Sequence, residues 1–134
     1  MNDVNRIENA RLEKKKGDDS WDEARILLEK EKFDGAVSRA YYAAYHYACA
    51  VLLTKGLEAR SHQGVQRLFH LHFIRTGVFT PDVGVLLSHA QKAREEADYY
   101  PEISFTREIA RDRLQDVESF LAKARDFLSK VGID

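Results

Sequence analysis

Residues 36–53 read AVSRAYYAAYHYACAVLL, and the reading of this stretch decides the fold. Its only clearly polar side chains are Ser38, Arg39 and His46. A helix that is apolar on nearly every face is either a buried central helix or a membrane span. An arginine and a histidine are expensive to bury, so each needs a reason to be there. Arg39 and His46 stand seven residues apart. At about 3.6 residues per turn this is close to two turns, so they face the same way to within about 20°. Gly35, Tyr42, Cys49 and Leu53 lie on the same stripe. Ala36, Ala40, Ala43, Ala44, Ala48 and Ala50 let neighbouring helices approach closely. Tyr41, Tyr42, Tyr45 and Tyr47 add buried area and a hydroxyl handle.

The rest of the chain fits around such a helix. At 134 residues it has the length of one ordinary domain, and we read 1–134 as a single helical domain. With 44% hydrophobic and 32% charged residues it is balanced as a globular rather than a disordered chain. Two prolines and seven glycines favour long helices over a many-turned β fold. The one cysteine, Cys49, excludes an intrachain disulfide and any multi-cysteine zinc site, and it reads as a small buried hydrophobe in a reducing cytoplasm. The polar start, MNDVNRIENARLEKKK, is no signal peptide, and no apolar run is long and clean enough for a membrane span. A net charge of −1 counts against a generally basic coat for nucleic acid, so any RNA contact requires a local patch.

In chain order, residues 1–19 read as a frayed start or a separate first helix. Gly17-Asp18-Asp19 weakens it, and Ser20 and Glu23 form a candidate capping box. One continuous helix to residue 31 fits equally. Asp34 is a candidate cap for the central helix, which runs to about Lys55 and stops at Gly56. Ser61 caps a third helix over roughly 62–76, with Val65, Leu68, Phe69, His72 and Phe73 inward. Thr80 and Pro81 open a fourth that carries Val85, Leu86, His89 and Ala93 and ends near Tyr99. A last helix runs from about Thr106 to Lys130. No strand pattern occurs. The expected fold is all-α: a single antiparallel bundle of four to five helices.

The chemistry concentrates on Arg39 and His46. Imidazole moves protons near neutral pH, and guanidinium grips a phosphate with two prongs. These two tools suffice to cleave RNA without a metal, and no cofactor or metal is expected. Two turns span about 10.5 Å, too far for one Arg and one His to converge readily on one phosphate. A two-fold homodimer with antiparallel central helices would bring Arg39 of one chain towards His46 of the other. The other reading is structural: Arg39 a buried cation paired with a carboxylate such as Asp98, and His46 a hydrogen-bonded core histidine. Ser38 and Tyr42 adjoin the pair as supporting or substrate-binding candidates. Arg94 and Asp98, one helical turn apart, form a second candidate cluster. His70 and His72 diverge on a helix, and no glycine-rich phosphate loop is present.

The string SRAYYAAYH (38–46), with SHQGVQRLFHLHFIRTG (61–77) and AREEADYY (93–100), resembles the HEPN superfamily of small all-helical proteins. The likeness is to its stand-alone prokaryotic branch, often encoded beside a minimal nucleotidyltransferase, and covers roughly residues 20–130. The superfamily hallmark is Arg, four to six residues, then His, which Arg39 and His46 match with six between. Many nuclease members place a polar residue directly after the Arg, where this chain has Ala40. The resemblance implies a homodimeric, metal-independent endoribonuclease, the toxin half of a toxin–antitoxin pair whose antitoxin is a nucleotidyltransferase. The alternative is a non-catalytic helical module that binds a nucleotide or holds the nucleotidyltransferase.

Overall fold

The computed structural model describes residues 3–134. Among them are five α-helices and no strand: α1 (Asp3–Glu29), α2 (Phe33–Leu53), α3 (His62–Phe69), α4 (Pro81–Tyr99) and α5 (Arg107–Lys130). A π-helical turn, His70–Ile74, continues α3. The expected all-α bundle is the observed one, with α2 at its centre packed against each of the other four helices.

The alanines of α2 explain that position. Ala36, Ala40, Ala43, Ala44, Ala48 and Ala50 are all buried, together with Tyr41 and Tyr47. Small side chains on several faces let several helices reach one axis. On α1, Ala10, Gly17, Ser20 and Ala24 are buried, while Leu12 and Ile26 stay exposed.

Gly17 therefore does not break the helix, and Ser20 is a buried packing residue rather than a cap. A Cβ on Gly17 would lie 2.5 Å from Tyr47 Cδ1 and 3.1 Å from the Ala43 carbonyl oxygen. The buried Tyr47 ring has no room to yield, because its hydroxyl donates to Asp18 and accepts from Arg125 Nη2 at 3.1 Å. Helix propensity alone favours Gly17→Ala by up to about 1 kcal/mol. Overpacking costs about 1–3 kcal/mol and dominates here. Urea unfolding of Gly17→Ala should show net destabilisation; a gain in stability would disprove the close approach of α1 to α2.

Other boundaries follow their caps. Ser61 accepts from the Gly64 amide at 2.9 Å and Thr106 from the Ile109 amide at 3.2 Å. Gly56, at φ +70°, ends the reach of α2 as expected. Asp34 is not the cap of α2: the helix begins at Phe33, and Asp34 sits in the first turn, where its charge meets the positive end of the helix dipole.

One inward face differs from the expected one. The π-turn inserts an extra residue, so Phe73 and Ile74 are buried while His72 is only half-buried. On α4 the buried residues are Val83, Leu87, Ala90, Ala93 and Arg94, whereas Val85 and His89 are exposed. Phe69, Phe73, Phe79, Phe120 and Phe127 close the α3–α5 end of the core, with ring centroids 5.4–6.2 Å apart.

Candidate active site

Helix α2 is not buried all round. Gly35, Ser38, Arg39, Tyr42, Tyr45, His46 and Cys49 form one stripe that its neighbours leave partly or fully open. The polar residues that looked costly in a central helix lie on that stripe.

Arg39 is half-exposed and reaches Glu23 of α1 only loosely, Nε to Oε2 at 3.8 Å, with its guanidinium 5.6 Å from the Tyr42 ring centroid. His46 is held more tightly: its Nδ1 lies 2.7 Å from Glu13 Oε2, also on α1. An ionised carboxylate only accepts hydrogen bonds, so Nδ1 carries the proton and donates it to Glu13. That fixes the tautomer and turns Nε2 into the nitrogen available for proton exchange.

Between them, the Tyr42 hydroxyl accepts from Arg94 Nη2 of α4 at 3.1 Å. Arg94 is buried, with its guanidinium 5.4–5.5 Å from the ring centroids of Tyr41, Tyr42 and Tyr99. Asp98 Oδ2 stands 3.5 Å from Arg94 Nε, an ion pair by distance but not a hydrogen bond, since that Nε has no hydrogen-bond partner. Because the Tyr42 oxygen already accepts from a cation, its own O–H is left to donate along the stripe.

The expected pairing of Arg94 with Asp98 is present, but Asp98 orients neither Arg39 nor His46. The carboxylates that do so, Glu23 and Glu13, come from α1 and were not picked out from the sequence. Nor was His62, at the start of α3. Its Nδ1 lies 2.6 Å from the Tyr41 hydroxyl, and its ring centroid is 4.4 Å from that of Tyr45. The signal for it was modest: a histidine directly after a capping serine enters the bundle at a helix end.

Burial, then the charges of Arg94 and His46, holds the His62 pKa below its usual 6.5. As pH falls below 6.5 the unfolded chain takes up a proton at this residue before the folded chain does. The unfolded state then binds more protons, so stability rises with pH and is lost on acidification. Melting temperatures should therefore drop between pH 7 and pH 5 more steeply for the wild type than for His62→Gln; parallel drops would rule His62 out as the cause. Burial, with Glu13's charge adding to it, pushes the Cys49 thiol up to about 12. Burial and the neighbouring Cys49 raise Tyr45 to about 12. Both stay protonated at neutral pH. Among the described residues no group of three or more His, Cys, Asp or Glu is placed to hold a metal ion, and no helix is long and apolar enough to cross a membrane.

A five-helix bundle whose central helix exposes an Arg–His stripe has the shape of a HEPN domain, and the HEPN family profile matches residues 10–127. The chain belongs to the HEPN domain family. Among its relatives, a UPF0332 protein of Thermotoga maritima is 34% identical over 100 residues, which span 75% of this chain and 76% of the relative. A Methanocaldococcus jannaschii protein named "Putative toxin MJ0605" is 34% identical over 108 residues, 81% of this chain and 80% of the relative. A UPF0332 protein of Archaeoglobus fulgidus is 34% identical over 110 residues, 81% of this chain and 86% of the relative.

Proposed function

We propose that this chain is a HEPN-type, metal-independent endoribonuclease with a composite Arg39–His46 site in a homodimer cleft. It acts as the toxin of a toxin–antitoxin pair in the cytoplasm, and its partner is a nucleotidyltransferase antitoxin. The observation that carries the reading is the 2.7 Å bond from His46 to Glu13, which readies Nε2 for proton transfer on the same open stripe as Arg39. The name of the Methanocaldococcus jannaschii relative, "Putative toxin MJ0605", supports the biological role.

In this mechanism His46 Nε2 takes the proton of a ribose 2′-hydroxyl, whose oxygen attacks the adjacent phosphorus. The bond from phosphorus to the 5′-oxygen breaks, and that oxygen leaves with the proton that His46 Nε2 took, which regenerates the neutral imidazole. A 2′,3′-cyclic phosphate and a 5′-hydroxyl remain. Arg39 stabilises the charge on the pentacoordinate phosphorus, and the Tyr42 hydroxyl donates to a phosphate oxygen. Ala40, the departure from the family pattern, is buried against the bundle, so the position after the arginine offers nothing to the site. Tyr42 supplies the polar group on the open side.

Two turns of helix separate the two residues by about 10.5 Å, which is why the reading needs a second copy. Each site then takes Arg39 from one chain and His46 from the other. Coexpressed Arg39→Ala and His46→Ala chains, each inactive alone, form heterodimers with one intact site. Half of a random mixture is heterodimer, and the mixture should regain about a quarter of wild-type cleavage. No recovery in folded, mixed dimers would contradict a site shared between chains.

A further inference from the structure

A groove of about 790 Å³ lies between α3 with its π-turn and the first half of α4, and it shares no residue with the α2 stripe. Phe69, Ile74 and Leu87 form its buried floor, and Leu71 and Val85, 43% and 50% exposed, form its lips. Two features build it. The π-turn shifts the register so that Leu71 points outward. Gly84 has no side chain to fill the space: a Cβ there would meet Ile74 Cγ1 at 3.3 Å.

The groove is also one-signed. Arg67, His70, Arg75 and His89 line it, and no carboxylate does. From Ala59 to Ala93 the chain carries one carboxylate, Asp82, against Arg60, Arg67, Arg75 and Lys92, although the whole chain holds 22 acidic residues. Among the described residues, neither Arg67 nor Arg75 forms an ion pair within the chain.

We infer that this groove docks an amphipathic helix of a partner protein, with an apolar ridge seated between Leu71 and Val85 and flanking Asp or Glu side chains facing Arg67 and Arg75. The lips are aliphatic. Single-stranded RNA is gripped by exposed aromatic platforms, whereas aliphatic grooves between helices take the i, i+3, i+4, i+7 ridge of another helix. The two arginines select an acidic flank. This inference is independent of the nuclease reading, since it involves none of the α2 residues.

The test uses the full chain and two designed helical peptides with the same leucine ridge, one flanked by Glu and one by Lys, added to millimolar concentration. A single-stranded RNA oligonucleotide is the third probe. Binding is read by fluorescence anisotropy. The Glu peptide should bind at least about tenfold more tightly than the Lys peptide. Val85→Glu and the Arg67→Glu/Arg75→Glu pair should each weaken it by about tenfold or more without lowering the melting temperature, and the arginine reversal should strengthen the Lys peptide. All three substitutions are at exposed side chains, so folding is preserved. Equal binding of the two peptides, no binding of either, or loss of RNA binding alone in these variants would overturn the proposal.

Discussion

Replacing His46 with alanine should lower RNA cleavage by about 10²–10⁴-fold, the usual contribution of a positioned general acid or base, while the protein stays folded. Two observations separate the chemical from the structural role. The His46 side chain keeps 20% of its surface exposed and bonds a carboxylate that is itself 29% exposed, so Glu13 can rehydrate when the imidazole is lost. A core histidine would leave a buried polar group unpaired and destabilise the chain by about 1–3 kcal/mol. The account therefore expects lost cleavage with a near-normal melting temperature. Lost cleavage together with lost folding would return His46 to the structural reading. Glu13→Gln keeps a hydrogen-bond acceptor but removes the charge behind the ring, and should cost less activity than His46→Ala.

Arg39→Ala should be the second severe variant, with cleavage reduced by about 10²–10³-fold, the scale of removing a group that stabilises transition-state charge. The structural alternative, a buried cation held by Asp98, does not describe this residue. Arg39 is half-exposed and sits 3.8 Å from Glu23, and Asp98 is beside Arg94 instead. An exposed ion pair of that length contributes about 0–1 kcal/mol, so stability should barely change. Arg39→Lys keeps the charge but loses the two-pronged grip, and should recover only part of the rate. Full activity in Arg39→Ala would remove the residue from the mechanism.

Much of the fold was legible in the alanines and tyrosines of residues 36–53, because a helix of small residues has few positions other than the centre of a bundle. Its open side was harder to read. Periodicity marks which residues share a face, but only the number of neighbouring helices decides which face stays uncovered, and that is a property of the assembled bundle. Gly17 illustrates the same limit. In a local reading glycine weakens a helix, yet here the absence of a side chain is what lets α1 rest on Tyr47. On α4 the sequence period carries Val85 and His89, yet both are exposed, and Val83, Leu87, Ala90 and Ala93 form the buried face instead.

The candidate site was legible in part. Arg39 and His46 were visible from spacing within one helix. Tyr42 and Arg94 were visible as members of clusters, although not as each other's partners. The carboxylates of α1 were missed because their relation to α2 runs through the α1–α2 turn. Glu23 and Arg39 lie eight residues either side of Glu31, at that turn, and in an antiparallel hairpin such residues come level. Glu13 and His46 are nearly symmetric about the same point, one helical turn out of step. Once α1 is known to be unbroken, this symmetry is enough to nominate both acids.

The most direct measurement is cleavage of a mixed single-stranded RNA pool in EDTA, wild type beside Arg39→Ala and His46→Ala, with the product ends identified. The account predicts cleavage by the wild type alone, leaving 2′,3′-cyclic phosphate and 5′-hydroxyl ends. Intact RNA after incubation with a folded wild-type dimer, or equal cleavage by all three proteins, would contradict it.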